Sequence, residues 1–182
     1  LDVTLVSSPQ FALFTKLHRR FNDVLTKHGI ATQEYWNNHM VGRACRAFLD
    51  QRESILNAVR KCIIDGGYGR EEADDFFKRH MEVLTPLSIA ARHMRRVAVL
   101  SPDEKAELKS ACAEYGSAFR RNFPDSLLTP KQSTLELVVP LQIDMFSSLG
   151  IFSEENVESL HTLYTEVMDI VKVVRNPTQR HE

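Results

Sequence analysis

The stretch SPDEKAELKSACAEYGSAFRRNF, residues 101–123, decides the fold class of this chain. Ser101 suits an N-cap and Pro102 the first helical position, because proline lacks the N–H that a helix leaves unpaired there. Glu104 lies three residues after the cap, where its side chain can complete a capping box. Apolar side chains then follow at helical spacing before Phe123-Pro124 ends the segment: Leu108, Ala111, Cys112, Tyr115 and Phe119. The stretch therefore predicts a long amphipathic helix.

Similar patterns lie directly before and after this helix. Residues 70–75 are charged and suit a helix start, and a stripe then crosses Pro86, which predicts a kink. That stripe comprises Phe77, His80, Met81, Leu84, Leu87, Ala91, Met94 and Ala98. Downstream, Thr129-Pro130 opens a helix that Pro140 is expected to bend and Gly150 to end. Its apolar stripe comprises Leu135, Val138, Val139, Ile143 and Phe146.

Further helical patterns occupy both ends of the chain. The first runs from Ser8-Pro9 to Gly29, and the second runs from Thr32 to Gly66-Gly67 as one helix or two, with Gly42 and residues 50–54 as possible breaks. A last helix begins at Ser153 and ends before Asn176-Pro177. We expect one all-α domain over residues 1–182, an irregular bundle of about six or seven partly kinked helices. Residues 1–8 would form an N-terminal extension and residues 176–182 a C-terminal tail.

Composition excludes several classes of protein. The chain is 43% hydrophobic and 26% charged, which excludes disordered and fibrous proteins. Its 23 Lys plus Arg against 24 Asp plus Glu exclude an overall basic nucleic-acid binder, although not a local basic face. No apolar run is long enough to span a bilayer, so we expect no membrane association. The three cysteines lack a Cys-x-x-Cys spacing and predict buried thiols in an intracellular compartment, nuclear or cytoplasmic: Cys45, Cys62 and Cys112.

The sequence holds no complete catalytic or metal-binding motif. There is no phosphate-binding loop, dinucleotide fingerprint, zinc motif or serine-hydrolase motif. Glu158 and His161 have the spacing of a di-iron ligand pair, but such a site needs a second Glu-x-x-His, which this chain lacks. We therefore expect no catalytic residue, metal or cofactor. His80 lies on an apolar stripe and is expected to be a hydrogen-bonded core histidine.

Two clusters of basic residues permit three interpretations. Lys16, His18, Arg19 and Arg20 lie in the first helix, and Arg92, His93, Arg95 and Arg96 follow Pro86. Basic faces of this kind can contact phosphates, so Arg92, Arg95 and Arg96 are the candidate nucleic-acid-binding residues. A second interpretation is that these charges are solvated or pair with carboxylates of the same chain. A third is that they contact an acidic patch of a partner protein.

Residues at three places give the chain a family resemblance. The first are Tyr35 and Gly42; the second run from Thr129, Pro130 and Lys131 through Leu135, Glu136, Val138 and Val139; the third are Gly150, Phe152, Ser153, Glu154, Glu155, Glu158 and His161. Together they resemble the helical C-terminal region of transposon-like open reading frames of animal genomes. The resemblance covers about two-thirds of the chain and implies a transposase-derived, domesticated origin.

We expect a non-enzymatic protein–protein interaction domain, a scaffold or adaptor, because the chain has more apolar helix faces than one core requires. The candidate partner-binding residues are Phe11 and Phe14 in the first helix and Val167, Val171 and Val174 in the last. The partner is another protein or a second copy of this chain. The same stripes could instead only fill the domain's own core.

An enzymatic reading is the alternative. A helical part of a DDE-type transposase or nuclease could contribute Glu154 or Glu158 to a divalent-metal site. Two-metal chemistry needs several carboxylates, and the others would have to come from outside this sequence.

Overall fold

The computed structural model describes residues 19–31, 40 and 42–150, and every regular element in this part of the chain is helical. The predicted all-α class is confirmed for these residues. Helix α1 includes residues 19–27. The elements that follow are α2 (Arg43–Asp50), α3 (Arg52–Asp65), α4 (Arg70–Met94), α5 (Pro102–Asn122), α6 (Pro130–Ser133), a π-helical segment (Thr134–Val138) and α7 (Val139–Phe146).

Helix α5 begins and ends where its sequence predicts. The Glu104 N–H donates to the Ser101 hydroxyl over 3.3 Å, and the Ser101 N–H donates to the Glu104 carboxylate over 2.8 Å. These two bonds provide acceptors for backbone N–H groups at the helix start, which have no carbonyl partner within the helix. The helix ends at Asn122, with Phe123 as the C-cap. The capping box and the Phe123-Pro124 stop are therefore confirmed.

The long pattern that precedes Gly66 is divided at both expected break points. Gly42, with a φ of 46°, precedes α2, and α2 meets α3 at Gln51. Gly66 and Gly67 then end α3, and Gly67 has a φ of 95°, a backbone conformation that favours glycine. The start of this pattern, residues 32–39 and 41, lies outside the described residues.

Helix α4 is continuous through Pro86 but ends at Met94, so the predicted continuation to Ala98 is wrong. The backbone carbonyls of Arg96 and Val97 accept hydrogen bonds from the Ser148 hydroxyl, at 3.0 and 2.9 Å. The Leu100 N–H donates to the Ser147 carbonyl over 2.9 Å. Residues 96–100 are thus bonded to the end of α7 instead of extending the helix.

Helix α4 packs against both α3 and α5, and two main clusters of buried side chains lie along it. One cluster joins α4, α5 and α7: Ala90, Leu100, Leu108, Ala111, Cys112, Val139 and Ile143. The other joins α1 to α3: Val24, Leu25, Ile30, Ile55 and Val59. The first cluster fixes α7 against α5 and so determines which side of α7 remains outside the core.

The helix opened by Thr129 changes its hydrogen-bonding register before Pro140. The Val139 N–H donates to the Thr134 carbonyl, five residues back, in place of the usual four. Pro140 has no N–H and its ring would crowd the carbonyl four residues earlier, so the wider turn precedes it. The predicted stop at Gly150 is wrong, because α7 ends at Phe146 and Ser147 takes the left-handed conformation, with a φ of 60°.

Candidate protein-binding surface

A row of large apolar side chains lies exposed along the π-helical segment and α7. Leu137, Leu141 and Met145 follow one another at four-residue steps, and their exposed fractions are 64%, 65% and 74%. Val138 and Phe146 are also exposed beside this row. We call these five residues the exposed apolar face. Side chains four apart lie on the same side of a helix, so the face is a continuous strip.

The opposite side of the same helix is anchored to α5. Val139 and Ile143 are buried in the core, and the Lys109 ammonium donates to the Asp144 carboxylate over 2.6 Å. Because packing and this ion pair hold the helix on its inner side, the outer strip cannot rotate inward to bury its apolar side chains. Exposure of the face follows from this arrangement.

A second ion pair fixes the π-helical segment. The two terminal guanidinium nitrogens of Arg120 each donate to the Glu136 carboxylate over 2.7 Å, and this pair lowers the pKa of Glu136. The carboxylate occupies the space that a side chain at position 116 would need, since a Cβ on Gly116 would lie 2.3 Å from Cδ of Glu136. Gly116 therefore lets the segment approach α5 closely.

A groove of about 500 Å³ continues the exposed apolar face toward the end of α4. Mostly apolar residues line it: Ala91, Met94, Arg95, Val139, Gln142, Phe146 and Leu149. Phe146 belongs to both features, so the groove and the face form one surface. A concave apolar region with few polar groups is typical of a binding site.

Residues 147–150 close one end of the groove by bonding to the loop after α4; we call them the clasp. Besides the bonds of Ser147 and Ser148 already given, the Gly150 N–H donates to the Arg96 carbonyl over 3.2 Å. The Lys105 ammonium donates to the Ser147 hydroxyl over 2.9 Å. The clasp thus fixes the position at which the chain leaves the groove.

Two arginines of the second basic cluster are engaged in ion pairs within the chain. Arg92 pairs with Glu107 at 3.0 Å, and Arg96 pairs with Glu104. The buried His93 also bonds to Glu107 at 2.6 Å. The hydrogen bond from His93, and after it the charges of His93 and Arg92, lower the pKa of Glu107. Arg95 instead lines the groove, and no carboxylate among the described residues pairs with it. Nucleic-acid binding by Arg92, Arg95 and Arg96 stays a prediction.

Most of the predicted site residues lie outside the described part of the chain. These are the candidate partner-binding residues Phe11, Phe14, Val167, Val171 and Val174, the candidate ligands Glu154, Glu158 and His161, and the basic residues Lys16 and His18. Their roles stay predictions.

His80 and the cysteines are placed by the structure. The Nδ1 of His80 donates to the Phe76 carbonyl over 2.8 Å, and partial burial lowers the pKa of the imidazole. Cys112 is buried, which raises its thiol pKa to about 11. Cys45 and Cys62 are only half-buried, so their predicted burial in the core is corrected. Cys62 packs at the edge of the α1–α3 cluster, and the Cys45 thiol donates to the Met40 carbonyl over 3.1 Å.

The exposed apolar face was not among the predicted binding residues, although the sequence contains its signal. The predicted apolar stripe of this helix included Val138 and Phe146, and the structure leaves both exposed. Residues 135–146 are apolar on nearly every side, with the second row at positions 137, 141 and 145. A helix that is apolar all round must either be enclosed by its own protein or bind something else.

Searches for relatives found no protein-family model, no curated protein and no solved structure that matches this chain. Within residues 19–31, 40 and 42–150, no group of three or more His, Cys, Asp or Glu side chains is placed to hold a metal ion. The helices in that part of the chain are also too short or too polar to cross a bilayer.

Proposed function

We propose that this protein is a non-enzymatic helical interaction domain that binds an amphipathic helix of a partner protein. The observation that supports the proposal is the row of Leu137, Leu141 and Met145, exposed on a helix whose other side is anchored in the core. Contiguous exposed apolar surface is characteristic of protein–protein interaction sites.

The shape of the surface indicates what kind of partner fits it. The spacing of four residues matches the apolar ridge of a second helix, which would lie along the strip and extend toward the groove. Burial of a leucine or methionine side chain contributes about 1.5–3 kcal/mol, so three such residues supply the central contacts of an interface. Arg95, at the groove, favours a partner helix with an acidic residue at that end.

The described residues support nucleic-acid binding and a transposase activity less than they support protein binding. Arg92 and Arg96 pair with Glu107 and Glu104, which reduces the positive charge available to phosphates. The carboxylates of the transposase alternative, Glu154 and Glu158, lie outside the described residues. The resemblance to transposon-like open reading frames supports a proposed origin for the domain. It would be a helical region of a mobile-element protein that was retained for binding.

Site-specific photo-cross-linking in cells tests the proposal. A photoreactive amino acid placed at Met145 of the full chain should form an adduct with one partner protein. The same group at Glu71, exposed on α4 away from the face, should form no such adduct. Leu137→Asp should abolish the Met145 adduct, because an unpaired charge in an apolar contact is costly. Equal adducts from Glu71, or an adduct that survives Leu137→Asp, would contradict the proposal.

A further inference from the structure

We propose that residues 153–174 of this chain occupy the exposed apolar face in the free protein, and that a partner helix must displace them. The inference rests on the proposed function in one respect, that the face accepts an amphipathic helix. It adds that the face is occupied by part of the same chain. The segment and the partner helix then compete for the face, which regulates partner binding.

The sequence of the segment suits the surface. Its apolar residues recur at helical spacing: Val157, Leu160, Tyr164, Val167, Met168, Val171 and Val174. A helix of this length extends about 33 Å at 1.5 Å per residue. The eight steps from Leu137 to Met145 extend only about 12 Å on the same scale. The segment is therefore long enough to cover the whole face.

The clasp determines where the segment must begin. Gly150 is bonded to the Arg96 carbonyl at the end of the groove, and only residues 151 and 152 separate it from Ser153, the N-cap that the sequence predicts. The whole connection from the end of α7 is residues 147–152, within the usual range of about 2–8 residues for helix–helix connections. Short connections place successive helices side by side and antiparallel, so the segment is directed back along α7.

Charge at the start of the segment complements the groove. Arg95 lines the groove beside the clasp and pairs with none of the carboxylates that the structure describes. Glu154 and Glu155 would lie in the first turn of the C-terminal helix, a short distance along the chain from Gly150. Their carboxylates would suit both the helix N-terminus and the Arg95 guanidinium.

The tether favours this occupant over a second copy of the chain. A segment joined by a short connection has an effective concentration near its site of about the millimolar range. Residues 153–174 of another molecule offer the same side chains at a far lower concentration. We therefore expect the face to be covered within one molecule.

Hydrogen exchange on the full chain tests the inference. Amides of residues 153–174 should exchange slowly in the wild type, and Leu141→Asp should accelerate their exchange roughly tenfold or more. Exchange in α4 and α5 should stay unchanged, because Leu141 lies outside the core. The matched control is Leu127→Asp, in the loop before α6, where the side chain is 92% exposed. Rapid exchange of the segment in the wild type, or protection unaffected by Leu141→Asp, would overturn the inference.

Protein concentration distinguishes the chain's own segment from that of a second copy. Protection of residues 153–174 should be the same at two concentrations about a hundredfold apart, with a monomer mass by light scattering. Protection that increases together with a dimer mass would overturn the intramolecular inference.

A variant of the segment separates this inference from the proposed function. Val167→Asp should weaken the segment's own docking and increase the yield of the partner adduct from Met145 at least twofold, as roughly expected when a competitor is removed. An unchanged adduct yield would overturn self-competition and leave the proposed function standing. If no adduct forms in either protein, the proposed function fails, and hydrogen exchange still decides whether the segment covers the face.

Discussion

At the scale of single residues, Gly150 holds the clasp in place through the absence of a side chain. Its N–H donates to the Arg96 carbonyl, and a Cβ at this position would lie 2.3 Å from the same oxygen and 2.6 Å from the Arg95 carbonyl. Both neighbours are backbone atoms, which cannot move aside as the end of a flexible side chain can. The contact requires glycine for its small size, whereas Gly67 is required for its positive φ.

Gly150→Ala should destabilise the protein by about 1–3 kcal/mol, the usual cost of forcing an extra methyl group into a packed site. Denaturation in urea, followed by circular dichroism, measures the loss. Gly69→Ala is the comparison without a backbone clash, because a Cβ there would meet Glu72 at an ordinary contact distance of 3.6 Å. It should lose only what alanine costs relative to glycine at the N-cap of α4. A Gly150→Ala variant as stable as the wild type would mean that the clasp does not hold residues 96–100.

At the scale of elements, the features that depend on a few neighbouring residues were predicted from the sequence. The features that depend on packing between helices were not. Ser101 with Glu104 and Thr129 with Pro130 each open a helix as predicted, since a cap needs only residues within one turn. Pro140 predicts a disturbance of this helix, but not its form: the wider turn places Glu136 against Gly116, a contact that exists only when α5 lies beside it. Nor was Ser147 predicted to end α7: it takes the left-handed conformation before the predicted stop at Gly150 is reached.

Ser101→Ala should lower the free energy of unfolding by about 1 kcal/mol, because the Glu104 N–H loses its acceptor. Chemical denaturation checks the value. Ser110→Ala, at an exposed position in the interior of α5, serves as the control and should be neutral or slightly stabilising. An equal loss in both variants would show that the capping box contributes nothing specific.

At the scale of the whole molecule, three carboxylates connect α5 to its neighbours. Glu82 on α4 accepts from Asn122, Glu107 on α5 accepts from His93, and Glu136 accepts from Arg120. Each of these bonds, with the nearby arginine charges, holds the pKa of the carboxylate below its ordinary value of 4.5. The three pairs join helices that are distant in sequence, so their protonation affects the assembly of the bundle.

The protein should lose thermal stability progressively as the pH falls below 4.5. A carboxylate whose pKa is lowered by folding stabilises the protein above its unfolded pKa, and this contribution disappears as the pH falls through the folded pKa. Melting curves between neutral and acid pH measure the change. The variant with Glu82→Gln, Glu107→Gln and Glu136→Gln should melt lower at neutral pH and show a flatter acid dependence. A melting temperature independent of pH in the wild type would contradict this account.

Much less of the candidate surface than of the fold could be predicted from the sequence. The periodicity of residues 135–146 shows that too many positions are apolar for one buried stripe, but not which row is left outside. That choice depends on the burial of Val139 and Ile143 against α5, with the Lys109–Asp144 and Arg120–Glu136 ion pairs on the same side of the helix. Such contacts between distant helices have no local signature in the chain.

The clasp has a consequence for the order of events during synthesis. It joins Ser148 to the Arg96 carbonyl, two residues 52 positions apart. A ribosome adds about 5–20 residues per second, so the loop after α4 waits roughly 3–10 seconds for its partner to be made. During that interval the apolar end of α4 is present without the α7 residues that form the rest of the groove. The residues made immediately after the clasp are 151–174, so the nascent chain completes the exposed apolar face and the groove just before it produces the segment proposed to cover the face.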